Sequence, residues 1–457
     1  MDSKDSELKY NAITEGVIWK QILIFFFPIL LGTFFQQLYN TADAIIVGQF
    51  LGKEALAAVG GGTSVATNLL IGFFVGVSSG ASVVISQYYG AKYTEGTRRA
   101  IHTSLALATA AGIAITIIGF LLTDFLLTLM GTPGDVLPLA SRYMRIFFLG
   151  SVANTIYNMG SGVFRALGDS KKPLLFLIIG CGVNIVLDIL FVGFLHMNVE
   201  GAAIATIISQ GVSAILVLFF LKVRKDSLKI RFREIKFDMK ILSNILKIGL
   251  PGGFQSVLYT ISNIIIQFFV NGFGTNTAAA WAAYGKLDAV FWMAINAFGI
   301  SITTIVGQNY GAGNFKRVKK TIRLSLSMGS AITIAISLLF MIVGESGIRL
   351  FTSDEDVIVL GTRILMFIAP TWITYMPIEI LSGALRGCGK TFIPTMITVI
   401  GICVLRAIWL FIIPNHTLES VLVCYPISWV IAAVSMFIYY LFGHAVPKED
   451  DDQKSLV

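Results

Sequence analysis

Long apolar runs separated by short polar turns dominate the chain. Twelve of them reach the roughly 20 residues that a helix needs to cross a bilayer. They lie near 22–48, 55–80, 100–122, 137–163, 174–195, 201–221, 241–270, 278–305, 321–343, 357–382, 392–413 and 418–442. The one long polar segment, 222–240, follows the sixth run and reads KVRKDSLKIRFREIKFDMK. This pattern predicts an all-α polytopic membrane protein with two lobes of six helices. Residues 1–221 form the first lobe, 222–240 a basic linker, 241–443 the second lobe and 444–457 a tail. The polar start, MDSKDSELKY, and the length of the first run argue for a retained helix rather than a cleaved leader.

Composition narrows the class. Of 457 residues, 55% are hydrophobic and only 13% are charged, too little polar surface to cover a water-soluble core of this size. Disorder is excluded by the same balance. The four cysteines (Cys181, Cys388, Cys403 and Cys424) show no CxxC or metal-ligand spacing and read as packing residues.

Charge sets the orientation. With the N-terminus in the cytoplasm, alternation of the spans puts 26 Lys and Arg on the cytoplasmic side and 2, Lys53 and Arg349, on the other. The remaining six lie in or at the ends of spans. That asymmetry predicts both termini in the cytoplasm of a cell (plasma) membrane. The net charge of +8 therefore needs no nucleic-acid partner, and the basic linker is expected against anionic lipid headgroups.

The two halves repeat at an offset of 221. Ser86-Gln87-Tyr88-Tyr89-Gly90-Ala91 aligns with Gly307-Gln308-Asn309-Tyr310-Gly311-Ala312, and Arg165, Gly168 and Pro173 align with Arg386, Gly389 and Pro394. Pro28 and Pro251, expected to kink the first and seventh helices, also correspond after a small shift. Six spans per half is an even number, so both halves enter the membrane in the same direction. Their axis should run along the membrane normal, an arrangement that encloses a central cavity and rocks.

Asp43, Asp188, Lys286, Asp288, Glu379 and Arg406 fall inside apolar runs, where each costs about 2.5–3.5 kcal/mol at the centre of a span. Asn184 precedes Asp188 by four residues and shares its helix face. Asp188 lies about 22 Å above Pro173, and Thr206, five residues into the descending sixth span, falls at a similar height. Asp43 comes out higher, about 34 Å above Lys20, unless Pro28 kinks or tilts its helix. Two carboxylates, an amide oxygen and a hydroxyl are what a hard cation such as Na⁺ requires. The same carboxylate pair in a dry site would equally take up H⁺. Asn158 is a further candidate member. A structural hydrogen-bond cluster is the alternative. Glu379, about 33 Å below the outer end of its span, is either a gate or a helix-end charge. Lys286 and Asp288 do not share a face, and Arg406 lies at the depth of Asp288, so an interhelical pair between those two is expected.

With these residues in view, the sequence resembles the MATE (multidrug and toxic compound extrusion) family of prokaryotic antiporters. The resemblance covers roughly residues 15–443. It rests on 37–43 with Gly48, Tyr89-Gly90-Ala91-Lys92, Arg165 to Asp169, and Gly182-Val-Asn184-Ile-Val-Leu-Asp188. In the second half it rests on Tyr284 to Asp288, 307–314 and 384–389. It implies a V-shaped bundle that exports small-molecule drugs, often organic cations, in exchange for Na⁺ or H⁺, with no other cofactor. It implies a first-lobe cation site at Asp43, Asn184, Asp188 and Thr206. Some members carry a glutamate eight residues after the proline of the seventh span; here that residue is Tyr259, which argues against such a second-lobe site. The protein is expected to act as a monomer among membrane lipids. Gln255, Trp281 and Tyr284 are guesses for drug contact, by cation–π and amide chemistry.

Other chemistries fail on the residues. Gly387-Cys-Gly-Lys-Thr391 mimics the end of a phosphate loop, but Ala384 stands where its first glycine is required and no strand precedes it. His102, His196, His416 and His444 are scattered, and no nucleophile constellation is present, so an enzyme is not expected. A flippase for a lipid-linked precursor is the alternative transporter. It would need a basic cavity for pyrophosphate, and only Lys286 and Arg406 lie at depth.

Overall fold

A computed structural model describes residues 12–413, 417–443 and 446. Lys4, Lys9, His416, His444, Lys454 and the acidic run 448–452 lie outside them. Among the described residues the chain is all helix and turn. The helices are α1 (Ala12–Glu15), α2 (Ile18–Leu51), α3 (Lys53–Gly60), α4 (Gly62–Gly90), α5 (Thr94–Leu129), α6 (Leu137–Leu149), α7 (Ser151–Ala166), α8 (Lys171–Asp188) and α9 (Val199–Lys222). The second half adds α10 (Met239–Asn271), α11 (Thr275–Gly311), α12 (Phe315–Arg349), α13 (Glu355–Ile368), α14 (Trp372–Gly387), α15 (Phe392–Thr398), α16 (Leu405–Ile412), α17 (Leu418–Leu422) and α18 (Cys424–Phe442).

Among the described residues, eleven helical segments are long and apolar enough to span a membrane. The fourth predicted run is the exception. It forms two helices, α6 and α7, meeting at Gly150, where the Gly150 N–H turns back to the Phe147 carbonyl at 3.0 Å. Its hydropathy is low because α7 carries Ser151, Asn154, Thr155, Asn158, Ser161 and Arg165. Thr155 satisfies its hydroxyl on the Ala108 carbonyl of α5 at 2.8 Å.

The 221-residue repeat is reproduced bond for bond. Tyr93 N–H donates to Tyr88 O at 2.9 Å, and Asn314 N–H to Asn309 O at 2.9 Å. Asp169 N–H donates to Phe164 O, and Lys390 N–H to Leu385 O, both at 2.9 Å. The first of these turns needs a left-handed residue. The second half supplies Gly313 (φ 70°); the first half has Lys92 at φ 56°. A side chain in that region costs roughly 1–2 kcal/mol. Lys92→Gly should therefore raise the unfolding free energy by about 1 kcal/mol, less the unfolded-state entropy of glycine. Thermal unfolding in detergent checks this; an unchanged or lowered midpoint would show the strain is not there.

The chain divides into two compact units, and the boundary falls inside helices. Phe27–Ser256 belongs to the first unit; Ala12–Phe26 and Val257–Val457 belong to the second. Thus α2 passes between units one residue before Pro28, and α10 does so five residues after Pro251. Both prolines sit within otherwise unbroken helices. Inside the first unit, α4 and the start of α10 approach at backbone distance: a Cβ on Gly80 would meet the Ile245 carbonyl oxygen at 2.4 Å.

The linker folds onto the first unit rather than lying loose. Leu228 and Ile230 are buried among Ile101, Leu105, Leu221 and Ile245. His102 bridges to it: Nε2 accepts from Arg231 N–H at 3.1 Å while Nδ1 lies 2.8 Å from the Arg98 carbonyl. Thr103 accepts from Asp238 N–H at 3.2 Å, and Arg99 pairs with Asp238. Sequence reading gave His102 no role; here it is a peg for the linker backbone.

Candidate cation site and its surroundings

In the first unit, four helices converge on one buried polar cluster. α2 contributes Tyr39 and Asp43, one turn apart. α8 ends at Asp188 and carries Asn184 one turn earlier. α9, packed on α8, contributes Thr206, and α6 contributes Tyr143. Tyr39 and Tyr143 both adjoin Asp43, Asp188 and Thr206, which places these three side chains in one neighbourhood. Asn184, Asp188 and Thr206 are fully buried, and Asp43 is 6% exposed.

The cluster holds polar atoms with nothing to bind. Asp43 Oδ1, both polar atoms of Asn184, both oxygens of Asp188 and Thr206 Oγ1 have no hydrogen-bond partner. The tyrosine hydroxyls come near Thr206 without closing to hydrogen-bond geometry. An unsatisfied buried polar group costs about 1–3 kcal/mol, and more if charged. Five of these six atoms are oxygens and two of the four residues are carboxylates, which makes the cluster a candidate place for a cation. Directly after Asp188 the helix opens into a π turn, Ile189–Phe194, an irregularity common at functional sites.

Asn158 is not among these unsatisfied groups. Its amide nitrogen donates to Asn154 O and Asn154 Oδ1, both at 2.9 Å. Both asparagines line an adjoining polar cavity with Gln36, Tyr39, Tyr157, Cys181 and Gln210. Tyr39 belongs to cavity and cluster alike. At about 60 Å³ this cavity falls below the roughly 300 Å³ of a small-molecule site. Sequence reading missed Gln36, Tyr39, Tyr143, Asn154 and Gln210. The i, i+4 spacing of Tyr39 with Asp43, and of Asn154 with Asn158, was the available signal.

The second unit places its charges differently. Asp288 accepts from Trp292 Nε1 at 2.8 Å. Arg406, 3% exposed, donates from Nε to Ser428 Oγ at 2.9 Å and stacks over Tyr425 (4.1 Å) and Trp429 (5.5 Å). The expected Arg406–Asp288 ion pair is not among the ion pairs of the described residues. Their depths match, but aromatic rings take the guanidinium and the indole takes the carboxylate. Lys286 is exposed, off the Asp288 face as its spacing required. Glu379 is half-buried and accepts from Tyr375 OH at 3.4 Å; Tyr375 in turn meets Tyr259 OH at 3.4 Å. Gly299 leaves the room for it, since a Cβ there would lie 2.2 Å from Glu379 Oε1. Tyr284 is buried with its ring 5.2 Å from Trp281. Gln255 belongs to the first unit, and Trp281 and Tyr284 to the second.

Two repeated halves and an all-helical membrane-spanning architecture with a buried polar cluster define a multi-pass membrane protein of the transporter class. Residues 28–190 and 251–412, one block in each half, match the family model MatE. The chain belongs to the MatE family of multidrug efflux transporters, whose members are transporters and not enzymes. It is 30% identical over 443 residues to the probable multidrug resistance protein YpnP of Bacillus subtilis, covering 95% of this chain and 98% of that one. It is 28% identical over 452 residues to the probable multidrug resistance protein YoeA of the same organism, covering 97% of each. Among solved structures, a MOP superfamily transporter from Pyrococcus furiosus superposes with a TM-score of 0.88 at 26% identity, over 96% of this chain and 98% of that one. That transporter is described as having a binding pocket of reverse polarity that suggests a different function.

Proposed function

We propose that the protein exports small organic compounds, often cationic, across the plasma membrane in exchange for Na⁺ or H⁺. Asp43, Asn184, Asp188 and Thr206 form the coupling site. The observation that carries this reading is the set of six buried polar atoms left without partners in one cluster. A cation would satisfy the carboxylates, the amide oxygen and the hydroxyl together. A proton would satisfy one carboxyl and let it donate to the other.

Coupling requires the ion to bind two conformations with different affinity. Asp43 and Pro28 lie on the same helix, which passes between the compact units beside Pro28. Drawing Asp43 toward Asp188 when the ion binds would bend α2 at that proline, where no backbone N–H resists it. The moving lobes are then residues 27–256, which carry the linker 222–240, and residues 257–443 with 12–26, and both termini lie in the cytoplasm. The pyrophosphate flippase finds less support, because Arg406 is committed to Ser428 and two rings and Lys286 is exposed.

Reconstitution tests this directly. Proteoliposomes loaded with ethidium, given an inward Na⁺ gradient or an inward H⁺ gradient separately, should export dye with one of them. Dye movement that is indifferent to both gradients would end the antiport reading.

A further inference from the structure

With both termini in the cytoplasm, as proposed above, α2 runs outward past Asp43, and α6 and α9 begin on the outer side. An apolar plug closes this outer end of the cluster. Ile46 and Val47, three and four residues past Asp43, pack with Tyr143 of α6 and with Val199, Ala202 and Ala203 of α9. Tyr143 also adjoins Asp43, Asp188 and Thr206, so it belongs to plug and cluster alike. We infer that Glu200, in the first turn of α9, is the acid that receives the coupling cation from outside, and that Arg142 holds it until the cation arrives.

Glu200 reaches across to α6. Its Oε1 accepts from Arg142 Nη1 at 3.3 Å, and Arg142 is the residue before Tyr143. Its other oxygen, Oε2, is buried and has no hydrogen-bond partner. A bare buried carboxylate oxygen carries a desolvation cost that a cation relieves. Thr206 follows six residues later, about 9 Å further along α9. Ala202 and Ala203 of the plug lie between them in the chain. Glu200 therefore stands on the outer side of the plug, and Thr206 on the inner side with the acids.

The latch is weak enough to yield. The Arg142 side chain is 63% exposed and takes only one carboxylate oxygen, so the pair is of the solvent-screened kind that contributes little. An arriving cation competes for the carboxylate at small cost. Release of Arg142 frees the outer start of α6 beside Tyr143, the plug residue that borders the acids. The second unit repeats the pair but not the bare oxygen. Arg363, 221 residues after Arg142, pairs with Glu419 of α17. Glu419 leaves no buried oxygen without a partner. A staple at this position is common to both halves; the bare acid oxygen belongs to the half that carries the cluster. The inference rests on the coupling reading above and adds the ion's point of entry.

Proteoliposomes loaded with ethidium give the test, with external NaCl titrated at constant pH and, separately, external pH lowered in the absence of Na⁺. The gradient that drives the wild type is then used for the variants. Glu200→Gln should raise the external ion concentration for half-maximal export about fivefold, the effect of one charge at about 9 Å and an effective dielectric near ~40, with the maximal rate kept. Arg142→Gln should lower it about twofold, because the carboxylate is then released to the ion. Both variants lose the same ion pair, so a mere staple moves them in one direction or not at all, and either result overturns the inference. Glu200→Asp, which keeps the charge, should return toward the wild-type value, and the melting temperature of each variant reports that it has folded. Arg363→Gln in the second unit should match the wild type; a shift equal to that of Glu200→Gln overturns the inference as well. A wild type indifferent to both gradients ends the antiport reading and this inference together. A driven wild type with an unmoved Glu200→Gln ends this inference alone.

Discussion

Asp188→Asn should abolish ion-driven export while the protein still folds and inserts. The substitution is nearly isosteric, so the packing of α8 on α9 and the π turn that follows Asp188 need not move. What changes is charge. At 4 Å and an effective dielectric near 20, one unit of charge is worth about 4 kcal/mol to a bound monovalent cation. Ion affinity should then fall by about three powers of ten, enough to leave the site empty at working concentrations. Because the carboxyl is also the group that would carry a proton, H⁺ coupling fails with Na⁺ coupling. Ethidium efflux from proteoliposomes under each gradient, beside the melting temperature of the purified variant, measures both halves. Wild-type efflux from a normally folded Asp188→Asn protein would remove this cluster from the mechanism. Asp43→Asn serves as the partner test and should give the same loss.

The components of this site were legible because they break rules of the membrane. A carboxylate or an amide in an apolar run is conspicuous, and the four-residue step from Asn184 to Asp188 places them on one face. Rise per residue then brought Asp188 and Thr206 to one height. Depth is all that such arithmetic yields; it says nothing of where around its helix axis a side chain points toward a neighbour. Arg406 and Asp288 show the consequence, matched in depth yet turned to Ser428 and Trp292 respectively. Tyr39 and Tyr143 escaped notice for another reason. A tyrosine in an apolar run is ordinary, and only the fold shows that both adjoin the acids.

The fold was legible in the same uneven way. Twelve runs and their repeat followed from hydropathy and offset. The interruption at Gly150 did not, since a single glycine within an apolar pattern is equally compatible with a continuous helix. The linker was read as a charged strip, and its two anchors, Leu228 and Ile230, were too few to register as a pattern. Lys92 illustrates the gain from reading the halves against each other. Its left-handed backbone has no cause in its own sequence, but its counterpart Gly313 shows what the turn demands.

Asn184→Leu should make the ion-free protein more stable while destroying its response to the ion. Both polar atoms of Asn184 are buried without a partner, so the native state bears their desolvation. Leucine has the same four side-chain heavy atoms with the same branching, is somewhat bulkier, and has nothing to satisfy. The gain should be about 1–3 kcal/mol. A protein whose coupling ion binds only the folded state is stabilised by that ion, by about 2.7 kcal/mol at a hundredfold excess over the dissociation constant. The wild type should therefore melt higher in NaCl than in choline chloride if the ion is Na⁺, or show a pH-dependent midpoint with no sodium effect if it is H⁺. The Asn184→Leu protein should melt higher than the wild type in choline chloride, and sodium should no longer move its midpoint. A structural hydrogen-bond cluster predicts the reverse: the leucine variant would lose stability, because an amide engaged in holding α8 would have been removed, and neither protein would respond to the ion. The sign of one melting shift thus separates a site built for a cation from a knot of polar side chains that only holds helices together.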